Sequence, residues 1–442
     1  MAPRACALLP LAIVVLSALP LAVASKYSVS ITDRSLGPGG GSILSHANGT
    51  SDFLDNFNAA WLPLPNHPGG ALFVRVTDSN LLAGAKALLG GGTLGGGCAA
   101  TTPNSTQSHS MIAMVRATAS DGLHFEKPSA SSLIVPVAPS LDPRANARPR
   151  TGDYFLTFQC NVADASGGLH RKSFVATSRT PEIMSSWREV AWRGETPAPM
   201  FPLDQPEGSE DCGTCVWFKD DDDDDDDDDD LSGGDGGGGG SGGGGGSGGK
   251  SGGGDALGGR SRSIRRGSHA HAPPPAYALV TFGGLRGGNI SLAVSDDGLR
   301  TWRTQGLLLQ TRAGMWDDRD LSAGPCPVRL SDGNWLVLYN VDNKWPVDHP
   351  RPMPRYGRCA LGWAVLDRRD PMRVLARADE PLLYGQLPFD WDKFDRVPSV
   401  YTDGVMPDPL GAADSFVVFA GGADSVVEAV RIRVTIDENV AA

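Results

Sequence analysis

The chain has 442 residues, 40% of them apolar and 20% charged, enough for two average packed domains or one large one. Its 57 glycines and 33 prolines exclude a mostly helical bundle and call for many turns. The formal net charge of −12 falls to near −1 once the eleven aspartates at 220–230 are set aside, so the body is close to neutral and offers no broad basic surface for nucleic acid.

The first predicted element is an address. Arg4 supplies a positive start, an apolar stretch follows from Leu8 to Val23, and Ala22-Val23-Ala24 is a small-x-small cleavage site. Residues 1–24 therefore read as a secretory signal, and the mature protein is expected to be secreted or to reside in the secretory lumen. No later stretch reaches the roughly 18 apolar residues of a membrane helix, so no membrane association is expected once the signal is removed. The acceptor triplets at Asn48, Asn104 and Asn289 fit the same route. Beyond Cys6, six cysteines remain (Cys98, Cys160, Cys212, Cys215, Cys326 and Cys359), an even set that allows up to three disulfides in an oxidising compartment. Cys212-x-x-Cys215 lacks a second ligand pair at matching spacing, so neither a metal nor a cofactor is expected.

Further along, alternating strands recur in pairs. The partner strands are Ala71–Val76, Tyr154–Phe158, Tyr277–Phe282, Trp335–Tyr339 and Phe416–Ala420. Their mates are Met111–Ala117, Ser173–Ser178, Ile290–Val294, Cys359–Val365 and Val426–Val434. Most pairs run on into a turn and an aromatic, most clearly Ser295-Asp296-Asp297-Gly298-Leu299-Arg300-Thr301-Trp302. Each pair is fed by one more strand upstream. Sheets this small cannot bury both faces alone and must stack on one another. Radial stacking gives an all-β fold, a five-bladed β-propeller.

One segment breaks the pattern. Residues 220–275 hold the aspartate run, twenty of the glycines and a basic Arg-Ser-rich block. Such sequence buries too little apolar surface to offset its ordering entropy and reads as a disordered, low-complexity insertion in the third blade. The propeller thus runs over 25–219 and 276–442. A hairpin tip tolerates such growth, since each doubling of a loop costs only about 0.6 kcal/mol.

In a propeller the inner strand of each blade lines the axis, so polar groups just upstream of each strand pair converge. These are Asn56–Ala60, Leu141–Arg144, Glu210–Gly213, Ser322–Pro325 and Asp403–Val405. Several carboxylates and one arginine facing one cavity suit glycosidic bond cleavage, which needs a proton donor and stabilisation of an oxocarbenium-like carbon.

These stretches carry a resemblance. Asn58-Ala59-Ala60 with Phe73-Val74-Arg75, Asp142-Pro143-Arg144, Ser322-Ala323-Gly324-Pro325, Tyr356-Gly357 through Asp370-Pro371, and Gly421 to Val427 follow the order of motifs in glycoside hydrolase family 130. That family comprises mannoside phosphorylases and related β-mannosidases on a five-bladed propeller. The resemblance implies that Asp142 is the general acid, donating its proton through a hydroxyl of the bound mannose. It implies that Asn58, Arg75, Arg144 and Asp424 hold that sugar. The substrate would be an oligosaccharide, with inorganic phosphate as the alternative acceptor.

Departures from the family pattern bear on the acceptor. Leu141 stands where Glu is usual, Thr281-Phe282 where the family has a His-Arg pair, and Tyr339-Asn340 where it has Tyr-His. A phosphate dianion needs convergent cationic donors. Their loss favours water, and hence an inverting hydrolase with Asp211, or its neighbour Glu210, as general base. Phosphorolysis and a non-catalytic carbohydrate-binding propeller are the alternatives. A sialidase-like propeller is a more distant one, since the aspartate box at Ser295–Trp302 is structural in such proteins.

Overall fold

A computed structural model describes residues 25–34, 42–78, 110–134, 141–148, 151–163, 169–192, 196–197, 200, 214–218, 275–282, 288–297, 299–343, 356–391 and 397–440. The signal segment, almost all of the 220–275 insertion, and Glu210 and Asp211 lie outside them. Among the described residues there is no α-helix, and so none long and apolar enough to cross a membrane.

Five antiparallel sheets surround one axis. Blade one is built from Asp55–Leu64, His67–Thr77 and Ser110–Arg116. Blade two comprises Leu141–Arg148, Asp153–Ala163, Leu169–Ser178 and Arg188–Glu189. Blade three comprises Thr214–Phe218, Ala276–Phe282, Asn289–Ser295 and Arg303–Leu309. In blade four the path is Asp320–Ala323, Trp335–Asp342, Cys359–Leu366 and Val374–Arg377. Blade five runs Val400–Pro407, Ser415–Gly422 and Val426–Ile436, and its outermost strand is Tyr27–Asp33 from the other end of the chain. The five-bladed propeller expected from the sequence is the fold observed.

The closing strand was not foreseen. Tyr27 pairs with Ile436 and Val29 with Val434, so a strand from before blade one completes blade five. The last unit therefore has its outer strand after all, supplied from far away in sequence.

Alternation along each strand explains the packing. In blade one, Leu72, Val74 and Val76 face blade five, while Ala71 and Phe73 face blade two. The same division holds around the ring, so five separate hydrophobic cores lie one between each pair of neighbouring blades. Near the axis, space is short. A Cβ on Gly404 would stand 2.3 Å from the Ala59 carbonyl oxygen, and one on Gly324 would stand 2.6 Å from that of Leu338. Side-chain amides add to the seam: Asn340 donates to the Thr402 carbonyl at 2.9 Å and accepts from its amide at 2.8 Å, tying blade four to blade five.

Cys215 of blade three and Cys326 of blade four form a disulfide across a further seam. Cys160 is also disulfide-bonded, whereas Cys359 is a buried free thiol and takes no part in the bridges expected of the six cysteines. The aspartate-box turn is structural: Asp297 accepts hydrogen bonds from the Arg300 and Thr301 amides and from the Ser295 and Thr301 hydroxyls. The 220–275 segment connects Phe218 to Ala276, which pair directly, so it lies between the inner and second strands of blade three.

Candidate active site

The inner strands are extended along most of their length, but register shifts occur between Phe57 and Ala60, between Leu141 and Arg144, and between Thr402 and Gly404. A bulge leaves a residue unpaired and re-aims its side chain. Within the first two shifts sit Asn58 and Asp142, with φ of 50° and 45°. Asp424, in the turn after the second strand of blade five, has φ of 53°. Left-handed backbone at non-glycine residues costs energy and persists where surrounding structure over-determines it, commonly at functional sites.

All three side chains reach a cavity of about 270 Å³ at one end of the axis. Asp142 Oδ1 accepts hydrogen bonds from Asn58 Nδ2 at 2.6 Å and from Arg75 at 2.8 Å. Arg75 is held over the Phe57 ring, 4.5 Å from its centroid, and also donates to the Ser110 hydroxyl. The Asn58 side-chain oxygen is buried and accepts no hydrogen bond from the described residues. A buried acceptor of this kind calls for a donor, and a sugar hydroxyl is one.

Electrostatics set the Asp142 charge. Burial alone would raise its pKa, but Arg75 foremost, then Arg171 and Arg144, together with the Asn58 hydrogen bond, hold it down to about 2. Asp142 is therefore an anion at neutral pH.

Of the residues singled out in the sequence, Asn58, Arg75, Asp142 and Asp424 meet in this cavity. Arg144 does not line it. Its guanidinium is buried beneath the site, donating to the carbonyls of Asp142, Ala323 and Gly324 at 2.9, 2.8 and 3.0 Å and pairing with Asp403 at 2.6 Å. With its donors spent on protein, Arg144 is a strut and not a sugar ligand, which corrects the role implied by the resemblance. Asp211 lies outside the described residues.

The cavity also contains groups that the sequence reading passed over. Arg171 arrives from the third strand of blade two, and Arg358 immediately precedes the third strand of blade four. Asp320, Asp342, Tyr401 and the free thiol of Cys359 complete much of the wall. Tyr401 and Ser322 share a short hydroxyl hydrogen bond of 2.5 Å across blades four and five. The signal for the arginines was a charged residue at or near the start of a third strand, at the same end of the axis as the inner-strand starts. Among the described residues, no cluster of three or more His, Cys, Asp or Glu has metal-binding geometry.

The aromatics weighed as sugar platforms divide differently. Trp316 stacks on Tyr339 and Trp61 donates to the Gly69 carbonyl, so both are occupied in packing. Trp391 is 49% exposed, and Trp345 lies outside the described residues.

The axial cavity and its ring of polar residues define a five-bladed propeller with a polar site at its axis. Known proteins then place it more closely. No family model matches the chain. A 1,2-β-oligomannan phosphorylase from Thermoanaerobacter sp. (strain X514) is 30% identical over 142 residues, 31% of this chain and 41% of that protein. The chain thus matches less than half the length of this curated relative. Among solved structures, the β-1,2-mannobiose phosphorylase from Listeria innocua superposes with a TM-score of 0.51 at 15% identity, covering 86% of this chain and 90% of that one. Another comes from work on glycoside hydrolase family 130, described as mannoside phosphorylases that include hydrolases of β-1,2 mannosidic linkages in Candida mannan. It superposes with a TM-score of 0.50 at 18% identity over 85% of this chain and 84% of that one. These likenesses agree with the resemblance read in the sequence, and the solved structures share the fold of this chain.

Proposed function

We propose that this protein cleaves β-mannosidic bonds in an oligosaccharide, with Asp142 as the general acid and Asn58, Arg75 and Asp424 gripping the sugar at the cleaved linkage. The observation that carries this reading is the convergence of those four side chains, three of them on left-handed backbone, in one cavity at the propeller axis. An acid with a pKa of about 2 is protonated in only roughly one molecule in 10⁵ at pH 7. The sugar supplies the remedy. Hydroxyls that draw the Arg75 and Asn58 donors away from Asp142 raise its proton affinity when the site is filled.

We read the acceptor as water and the outcome as inversion. Two positions where the family pattern has cations are spent on structure here. Asn340 is bonded to the Thr402 backbone, and the Thr281 hydroxyl accepts from the Ala323 amide. In a hydrolase the base would sit across the sugar, roughly 6.5–9.5 Å from the acid. Phosphorolysis stands as the second reading, because Arg171 and Arg358 both line the cavity and phosphate is recognised by convergent arginines. The signal segment favours water as well, and we take the enzyme to act in the secretory lumen or outside the cell.

Incubation with a panel of β-linked manno-oligosaccharides, with and without inorganic phosphate, tests both. Free mannose under both conditions supports hydrolysis. Mannose 1-phosphate formed only with phosphate refutes it and establishes phosphorolysis. Sugar binding with no cleavage of any member refutes catalysis.

A further inference from the structure

A second cavity, of about 220 Å³, opens on the axis some three to five residues further along the inner strands, where Trp61, Asn146, Pro327 and Val405 form part of its wall. Asp403 borders this second cavity, and between it and the site stands its ion pair with Arg144. Both residues are almost wholly buried, with Arg144 and Asp403 each 1% exposed. Arg144 comes from blade two, Asp403 from blade five, and the Ala323 and Gly324 carbonyls that Arg144 also holds come from blade four. One guanidinium thus spans three blades at the axis. It also donates to the carbonyl of Asp142 itself, at 2.9 Å, the residue whose backbone is left-handed.

Asp403 has little else to do. Neither of its carboxylate oxygens takes a hydrogen bond of regular geometry from the described residues, and the group it faces closely is Arg144. The pair fixes the direction of the guanidinium plane, and that plane fixes the Asp142 carbonyl.

We infer that Asp403 is a positioning residue for Asp142, acting through Arg144. This rests on the reading of Asp142 as the general acid. The charges around Asp403 are Arg144, Asp142, Arg75 and Asp424, with the Tyr401 hydroxyl nearby. Burial outweighs the attraction of Arg144 and moves the Asp403 pKa up to about 8. The strut therefore changes its charge within a few units of neutrality, and Asp142 feels the change through its backbone.

The test is Asp403→Asn, with Asp403→Thr as a second variant should the first fold poorly. At pH 9, where Asp403 is ionised, the expected result is a kcat lowered on the order of 10²-fold, the cost of a small misplacement of a reacting group. KM and mannose affinity by calorimetry should stay within threefold. A kcat at pH 9 within threefold of the unmodified protein in a folded variant would overturn the inference. So would equal losses in kcat and mannose affinity. The ¹³C resonance of the Asp142 carbonyl gives a readout free of turnover. It should follow a titration near pH 8 in the unmodified protein and run flat from pH 6 to 9 in Asp403→Asn; a flat trace in both overturns the strut. Failure of the unmodified protein to cleave any β-mannoside would instead sink the functional reading alone, since the carbonyl signal needs no substrate.

Discussion

Replacing Arg34 by Met removes the clasp that fastens the N-terminal strand to blade five. Arg34 follows that strand directly and reaches two carboxylates with no solvent exposure. It donates to both oxygens of Glu428 at 3.0 Å and to Asp390 Oδ2 at 2.7 Å. Two buried acids share one cation, so burial, only partly offset by Arg34, moves the Glu428 pKa up to about 7 and that of Asp390 upward. Removing one partner of a buried ion pair costs about 3–5 kcal/mol. Part of that cost is escapable by protonation. Keeping a buried glutamate neutral costs about 4 kcal/mol at pH 7 but about 1 kcal/mol at pH 5, at 1.36 kcal/mol per unit above its ordinary value near 4.3. The Glu428 value in the folded chain lies above that of the unfolded chain. Its contribution to stability is therefore full below about 4.3 and is lost as pH rises through about 7. Without Arg34 the folded value climbs further and the loss extends to higher pH. Thermal and urea unfolding of Arg34→Met should show a midpoint lowered by about 5–10 °C at pH 7. The deficit should shrink severalfold at pH 5. An equal deficit at both pH values, or less than about 1 kcal/mol at pH 7, would refute the account of a shared buried cation.

Two further outcomes follow from the site and the seam. Asp142→Asn should lower kcat by about 10²–10⁴-fold while mannose still binds, measured by steady-state kinetics beside calorimetry; unaltered turnover would remove Asp142 from the chemistry. Gly404→Ala places a methyl 2.3 Å from the Ala59 carbonyl, a backbone atom that cannot swing aside. It should cost about 1–3 kcal/mol and lower the thermal midpoint, and wild-type stability would mean that the inner strands of blades one and five are not packed as described.

Much of the site was legible because each inner strand begins with polar residues just upstream of an obvious strand pair. Asn58 and Asp142 were found that way, whereas Arg75 and Asp424 came from the family resemblance. The same logic misplaced Arg144. Two residues beyond Asp142 on a strand, a side chain would normally share its face, but the register shift between Leu141 and Arg144 breaks that rule. Arg171 and Arg358 escaped because attention stayed on inner strands, whereas the cavity wall also draws on the starts of third strands. The closing strand was not read, although Tyr27, Val29 and Ile31 alternate with polar residues. Its partner could not be read, because nothing local specifies pairing with residues some 400 positions away.

That pairing has a consequence for biosynthesis. A ribosome makes the strand at Tyr27–Asp33 early and its mate at Val426–Ile436 almost four hundred residues later. At roughly 5–20 residues per second, the early strand waits for tens of seconds with an unpaired edge. Its outward side chains are polar and weakly apolar by turns, Ser28, Ser30 and Thr32 among them, which makes it a poor template for adhesion while it waits. Ring closure thus waits for blade five, and a chain released before blade five emerges leaves Arg34 without Glu428.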